Sequence, residues 1–544
     1  MKQIAFIYVA LLITFSATSQ NPTNLIDNLF IDWSTENNPG GVVLVTHQNN
    51  LVFTKAYGLA NIPYQIPNTE ESVFNIGSLS KQFTAMGIVL LYLDGKLSFD
   101  DDIKTYLPEF TDFGKTITIR QLLHHTSGLR AVPELFGLAG WRSGDAISND
   151  DVYRYLLKQQ DLNFEPNSEF MYSNSGYILL AKIIERISKQ DFKSYMKEKV
   201  FQPLHLNSTF VEEDYSAIIT KTANSYTETA PSFFQTVENN DLTYGASNVY
   251  STSVDISNWA KNYTKAPKSW KKAFSILETL TTLNSGEKNN YAFGIVIDDF
   301  FGNRRIQHTG AIAGFQSIMY SYPDEDLQII ILSNFTSNQL SQKANQISQL
   351  FLQNKSKPTK IEEIKSSFKI SIEALQKNEG MYWNNKNNYS RKIFVANDTL
   401  WYLRNNNQKS PLLPISETEF QMGGINEKLV IKFDIHSAKM TLIFANNSTE
   451  TFEKYEDKLL TLEELKSYTG DFYSSELETF YTITLKDKSL YGYHSRFGEF
   501  EIQVLKRDVV NWSGMAISKY KRNGNSIGFW VTMNGIRNLW FEKK

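Results

Sequence analysis

Residues 74–84 read Phe74-Asn75-Ile76-Gly77-Ser78-Leu79-Ser80-Lys81-Gln82-Phe83-Thr84, and the assignment of the whole chain turns on this stretch. Over residues 79–93 apolar side chains recur at Phe83, Met86, Val89, Leu90 and Leu93, and Asp94-Gly95 follows. That spacing predicts a helix with a stop behind it. Ser78 and Lys81 are three residues apart, so on a helix they share a face and the amine reaches the hydroxyl. A hydroxyl is a weak nucleophile until a base takes its proton, and a partly desolvated lysine can be that base. The helix N-terminus also favours negative charge beside the Ser78 backbone N–H. Spacing alone says little, because it recurs at Ser194/Lys197, Ser269/Lys272, Ser285/Lys288, Ser366/Lys369 and Ser518/Lys521. Position at a helix start singles out Ser78, although a serine there also serves as an ordinary cap.

Two further triplets carry chemistry. Tyr172-Ser173-Asn174 precedes a predicted helix at residues 176–188. A phenol there can relay a proton between nucleophile and leaving group, and the Asn174 amide can orient Lys81 and a substrate carbonyl. The same pattern stands at Tyr382-Trp383-Asn384, so alone it reads as structural. His308-Thr309-Gly310 ends a predicted strand and runs into Ala311-Ile312-Ala313-Gly314. Small residues on such a strand let a substrate backbone approach closely. The Ala311 and Ser78 backbone N–H groups together make a candidate oxyanion hole. Taken alone, His308 reads as a turn histidine.

Around these motifs the pattern is mixed. Residues 24–36 read as an amphipathic helix, and residues 42–46 and 51–57 as a β-hairpin. Helices are expected at 120–124, 150–158 and 339–353, and strands at 304–308, 316–322 and 327–334. One hairpin early, helices in the middle, then strands and a helix predict an α+β domain with one antiparallel sheet.

The order Ser-x-x-Lys, Tyr-x-Asn, His-Thr-Gly resembles the serine β-lactamase and penicillin-binding-protein superfamily, most nearly its class C-like branch with family VIII esterases and D-aminopeptidases. Ile117-Thr118-Ile119-Arg120-Gln121-Leu122-Leu123-His124-His125-Thr126-Ser127-Gly128-Leu129 resembles that family's signature loop, and Val200-Phe201-Gln202-Pro203-Leu204 and Tyr250-Ser251-Thr252-Ser253-Val254-Asp255 resemble further landmarks. The resemblance spans residues 25–352. It implies an antiparallel sheet with helices on both faces and a helical subdomain. It implies Ser78 as acylated nucleophile, Lys81 as its base, Tyr172 as general acid/base and Asn174 as a polar orienter, with His308, Thr309, Gly310 and Ala311 at the substrate and oxyanion side. His124 and His125 take structural roles, and neither a metal nor a cofactor is implied. Many relatives carry lysine where this chain has His308. A histidine is mostly neutral at neutral pH, so carboxylate recognition is expected to be weaker and esters, amides or peptides to be favoured over β-lactams. With no separate glutamate as deacylation base, deacylation is expected to reuse Tyr172 and Lys81. A β-lactamase, and a non-catalytic cell-wall-binding sensor on the same fold, are the alternatives.

The 544 residues include 28 Tyr and 36 Phe, no Cys, and a net charge of -3. Absence of cysteine excludes thiol nucleophiles and disulfides, and the charge gives no sign of a nucleic-acid binder. Lys2, an apolar run at residues 4–15 and Ser16-Ala17-Thr18-Ser19 describe a secretory signal peptide over 1–19, with a membrane anchor as the alternative. The mature chain is expected to be periplasmic or secreted, without a stable membrane span, and to act on a small ester, peptide or muropeptide-like substrate. Residues 20–353 form the expected hydrolase domain, and polar, proline-containing residues 354–370 a linker. Beyond it Leu375, Gly380, Ile393, Val395 and Leu400 match Leu465, Gly470, Ile483, Leu485 and Leu490, each 90 residues on. Phe452-Glu453-Lys454 matches Phe541-Glu542-Lys543 nearly in step. A period that long means two copies of a domain rather than a solenoid, here two small lipocalin-like β-barrels over 371–457 and 458–544. The competing reading is one continuous β domain. The copies are expected to shape the active-site entrance or mediate oligomer contacts, or else to bind glycan independently.

Overall fold

The computed structural model describes residues 22–544, apart from residues 36, 143, 215, 337–338, 356–367, 387, 405–407, 426–428, 445–447, 457–459, 514–515 and 524–525. The expected signal segment and the middle of the expected linker lie outside the described residues. Contacts divide the chain into two compact units. Among the described residues, one holds those up to 95 with 188–280 and 290–355, and the other 96–187, 281–289 and those from 368 on.

The first unit is built on six antiparallel strands, in the order Val296–Phe300, Asn303–Ile312, Phe315–Tyr322, Leu327–Ser333, Gly41–His47, Asn50–Tyr57. The expected hairpin is present. Its turn is Gln48-Asn49, both at positive φ (51° and 65°), the backbone that matches strand twist in a two-residue turn. Successive side chains on a strand face opposite sides. Every position from Leu327 to Ser333 is buried, so helices cover both faces. On one face Pro22–Leu29 and Leu340–Phe351 pack through Ile26, Ala344 and Ile347 onto Val43, Val45, Ile329 and Ile331. Helix Ser253–Lys265 lies against the sheet as well. The long early helix expected over 24–36 stops at Leu29 and gives way to a 3-10 turn, Ile31–Ser34, that buries Trp33.

The second unit joins a helical region to two barrels. Helices Ile119–Leu123, Asn149–Lys158 and Asn174–Ser188 stand at the expected positions. Thr118 and Ser148 form capping boxes with Gln121 and Asp151. The 90-residue repeat is a repeat of structure: each copy is a closed eight-stranded barrel. Each opens with a short capped helix, Ile372–Gln376 or Leu462–Ser467, that buries Leu375 or Leu465. Gly380 and Gly470 follow at φ 148° and 136°, where a side chain would collide with Lys454 or Lys543. These are the repeated Gly and Phe-Glu-Lys signals of the sequence, and they mark where the first and last strands close the ring. Eight strands enclose a space that side chains fill. Phe420, Ile431 and Phe452 pack in the first barrel, and the Tyr481, Trp512, Phe529 and Phe541 rings pack together in the second. Among the described residues no helix is long and apolar enough to cross a membrane.

Candidate active site

From Ser72 to Val89 every residue is buried except Ser78, which is half-buried. A 3-10 turn, Gly77–Leu79, runs into the helix Ser80–Leu93. That helix is buried on every side as far as Val89, and the three polar side chains that flank Lys81 each make hydrogen bonds. Ser80 Oγ accepts from the Val249 N–H at 3.1 Å, and Thr84 Oγ1 donates to Gly245 O at 2.7 Å. Gln82 Oε1 accepts from Trp259 Nε1 at 2.7 Å and from the Tyr263 hydroxyl at 3.0 Å. The Ser80 and Thr84 bonds hold the helix against loop 245–249, and the Gln82 bonds hold it against helix Ser253–Lys265.

Lys81 is fully buried. Its Nζ is 3.1 Å from Ser78 Oγ and donates to the Ala246 carbonyl at 2.9 Å. Burial holds the amine well below the ordinary lysine range, opposed by the Asp241 carboxylate. Desolvation disfavours the ammonium, which shifts the amine beside the serine toward its proton-accepting form. Gly294, at φ 75°, lets the chain pass directly over the Lys81 backbone, where a Cβ would come within 2.7 Å of the Lys81 carbonyl.

The nucleophile segment lies against strand Asn303–Ile312. A Cβ on Gly77 would sit 2.7 Å from the Ala311 nitrogen, and one on Gly310 would sit 2.1 Å from the Ile76 oxygen. Ser317 Oγ, opposite Gly310 on the neighbouring strand, donates to that same Ile76 oxygen at 2.7 Å. These contacts bring the Ala311 amide beside the residue that precedes Ser78. Asn75 shapes the turn, its Oδ1 accepting from the Gly77 N–H at 3.0 Å and its Nδ2 donating to Asn248 Oδ1 at 2.8 Å.

Strand alternation splits the His-Thr-Gly motif. His308 and Gly310 face inward and are buried, while Thr309 and Ala311 are exposed. His308 Nδ1 lies 2.6 Å from Thr309 O and Nε2 lies 2.9 Å from the Tyr291 hydroxyl. A carbonyl only accepts, so Nδ1 carries the hydrogen. In the neutral ring Nε2 then accepts from Tyr291. Burial, with the nearby Lys81 amine adding to it, pushes His308 down to about 3. The ring is uncharged at neutral pH and is held as one tautomer.

Tyr172 and Asn174 belong to the second unit. Tyr172 is exposed (38%) and lies two residues ahead of the start of helix Asn174–Ser188. Its ring lies 4.3 Å from that of His125. His125, buried and at φ 57°, accepts from the Ser173 N–H at Nδ1 (3.2 Å) and from the Met171 N–H at its carbonyl (3.0 Å). The Tyr177 hydroxyl donates to Leu123 O at 2.8 Å, and Asn289 Nδ2 donates to His124 O at 3.1 Å. The signature loop therefore acts as the support of the Tyr-x-Asn segment. Among the described residues no three His, Asp or Glu side chains are grouped to hold a metal ion.

Sequence reading missed Asp241, Ala246 and Tyr291, which carry no motif. It also missed Asn75, Gln82 and Gly77, which lie within the decisive stretch. The left-handed Gly77 immediately before the serine was the readable signal.

A helix-flanked antiparallel sheet, with a serine at the head of a buried helix and a buried lysine beside it, defines the class: a hydrolase fold of the serine β-lactamase and penicillin-binding-protein kind. The chain belongs to the beta-lactamase family, whose model matches residues 26–352. Penicillin-binding protein 4* of Bacillus subtilis (strain 168) is 32% identical over 339 residues, covering 58% of this chain and 72% of that one. The octameric penicillin-binding protein homologue from Pyrococcus abyssi superposes with a TM-score of 0.54 at 22% identity, covering 79% of this chain and 99% of that chain. A D-stereospecific amidohydrolase from Streptomyces sp. superposes with a TM-score of 0.50 at 20% identity, covering 62% and 99% respectively. The two structural likenesses show the fold.

Proposed function

We propose that the protein is a serine hydrolase that cleaves an ester or amide bond through a Ser78 acyl-enzyme. The observation that carries this reading is the Lys81 amine, buried, lowered in basicity and 3.1 Å from a half-buried hydroxyl. In the attack Ser78 Oγ bonds to the substrate carbonyl carbon and its proton passes to Lys81 Nζ. The Ser78 and Ala311 N–H groups receive the oxyanion. The bond to the leaving group then breaks, and the leaving oxygen or nitrogen takes up a proton. Water adds to the acyl ester, the acid departs, and Ser78 regains its hydrogen. Tyr172 is assigned the general acid/base role by its motif, and Asn174 that of an orienter. Deacylation reuses Lys81 and Tyr172.

A neutral His308 leaves no fixed cation at its strand position, which favours esters, D-amino-acid amides or short peptides over β-lactams. The positive and apolar residues of the first nineteen support export to the periplasm or beyond. The test is a substrate panel: p-nitrophenyl esters, D-amino-acid amides and a chromogenic cephalosporin. Ester or amide turnover exceeding cephalosporin turnover is expected. Cephalosporin turnover that exceeds both would overturn the substrate assignment.

A further inference from the structure

The second barrel ends in a hairpin, strands Ser526–Met533 and Ile536–Lys543. Its turn enters the helical region of the same unit. Gly535 O accepts from the Ala131 N–H and from Asn163 Nδ2, both at 2.9 Å. The Arg537 N–H donates to Asn163 Oδ1 at 2.7 Å, and the Arg537 guanidinium forms a two-pronged pair with Glu169 at 3.0 and 3.1 Å. Arg130, wholly buried, donates to Asn538 O at 3.1 Å and to Glu476 Oε2 of the barrel at 2.7 Å.

Each of these anchors is one step from the Tyr-x-Asn segment. Arg130 O accepts from Ser175 Oγ at 2.6 Å, and Asn163 Nδ2 also reaches Met171 Sδ at 3.3 Å. Glu169 is three residues before Tyr172. A fork of two charge-assisted bonds fixes direction as well as distance, and Gly535, at φ 73° with a virtual Cβ 2.6 Å from Ala131, permits close docking.

We propose that this hairpin is a positioning element for Tyr172, with Arg537 acting through Glu169, so that the second barrel is part of the catalytic apparatus rather than a separate binding module. The inference rests on the reading of Tyr172 as general acid/base. Misplacing a reacting group by about 1 Å costs up to about 100-fold in rate, so partial release of the segment is expected to cost about tenfold.

The test compares Arg537→Glu, Glu169→Arg, the charge-swapped double variant and Tyr172→Phe, each in the full chain. Hydrolysis of a p-nitrophenyl ester is measured, with thermal unfolding in parallel. Expected are single variants that lose kcat about tenfold with KM within twofold, and a double variant that regains most of it. Lys386, whose Nζ is 4.0 Å from Glu169, is left unsubstituted in every variant. If Tyr172→Phe is inactive while Arg537→Glu keeps wild-type kcat, the positioning role falls and the catalytic reading stands. If the singles lose kcat but the folded double variant regains none, the positioning role also falls. If Tyr172→Phe keeps wild-type kcat, both fall together.

Discussion

Replacing Gly310 by alanine adds one methyl group at the point where the sheet meets the nucleophile segment. The new Cβ would lie 2.1 Å from the Ile76 oxygen and 2.3 Å from Ser317 Oγ. A carbon–oxygen contact settles at about 3.3–3.6 Å, so the Ile76 carbonyl must retreat by about 1 Å or more. Ile76 is two residues before Ser78, and its oxygen holds the Ser317 hydroxyl. Overpacking of this kind costs about 1–3 kcal/mol, with about 1 kcal/mol more for the strained hydrogen bond. A displacement of about 1 Å at the nucleophile lowers kcat/KM about 100-fold. The assay is initial-rate ester hydrolysis alongside thermal unfolding. Gly137→Ala is the control, because it sits in helix Glu134–Leu138 with nothing within 4 Å of its virtual Cβ. It should leave the rate unchanged and stabilise by up to about 1 kcal/mol. A folded Gly310→Ala protein with kcat/KM within threefold of wild type would refute the argument from close approach.

Other consequences can be checked separately. Asp241 is the charge that raises Lys81 against its burial. Asp241→Asn should therefore lower the amine further and move the acid limb of the kcat/KM–pH profile to lower pH, and an upward move would contradict it. His308 is depressed from 6.5 to about 3, so its neutral form favours folding fully above pH 6.5. Between 6.5 and about 3 the unfolded chain takes up a proton that the native chain refuses. Stability then falls by about 1.4 kcal/mol per pH unit from this group. Denaturant unfolding from pH 7 to 4.5 should show a shallower loss for His308→Gln, and equal slopes would contradict the buried neutral ring. Tyr291→Phe removes the donor to His308 Nε2 and should cost about 1–3 kcal/mol in the same assay; no loss would refute that hydrogen bond.

Much of this arrangement was legible before the fold was seen. The helix after Ser78 announces itself by length and apolar content, and the hairpin by two runs around a polar turn. The two barrels follow from the recurrence of Leu, Gly and Ile at one offset. What stayed hidden depends on parity and on lone backbone atoms. The strand through His308 begins at Asn303 and runs on to Ile312, and only the pleat decides that His308 points inward while Thr309 points out. Ala246 contributes a single carbonyl and Asp241 a single charge from irregular chain, so neither leaves a pattern. Helix Ser253–Lys265 is legible in principle, because Thr252 caps it by accepting from the Asp255 N–H three residues on.

The central claim is that Ser78 is the nucleophile, and covalent labelling tests it most directly. Intact mass and peptide mapping after treatment with a fluorophosphonate should show one adduct on Ser78 in the wild-type chain and none in Ser78→Ala, with turnover lost in step. A Ser78→Ala protein labelled as fully as wild type would contradict the account.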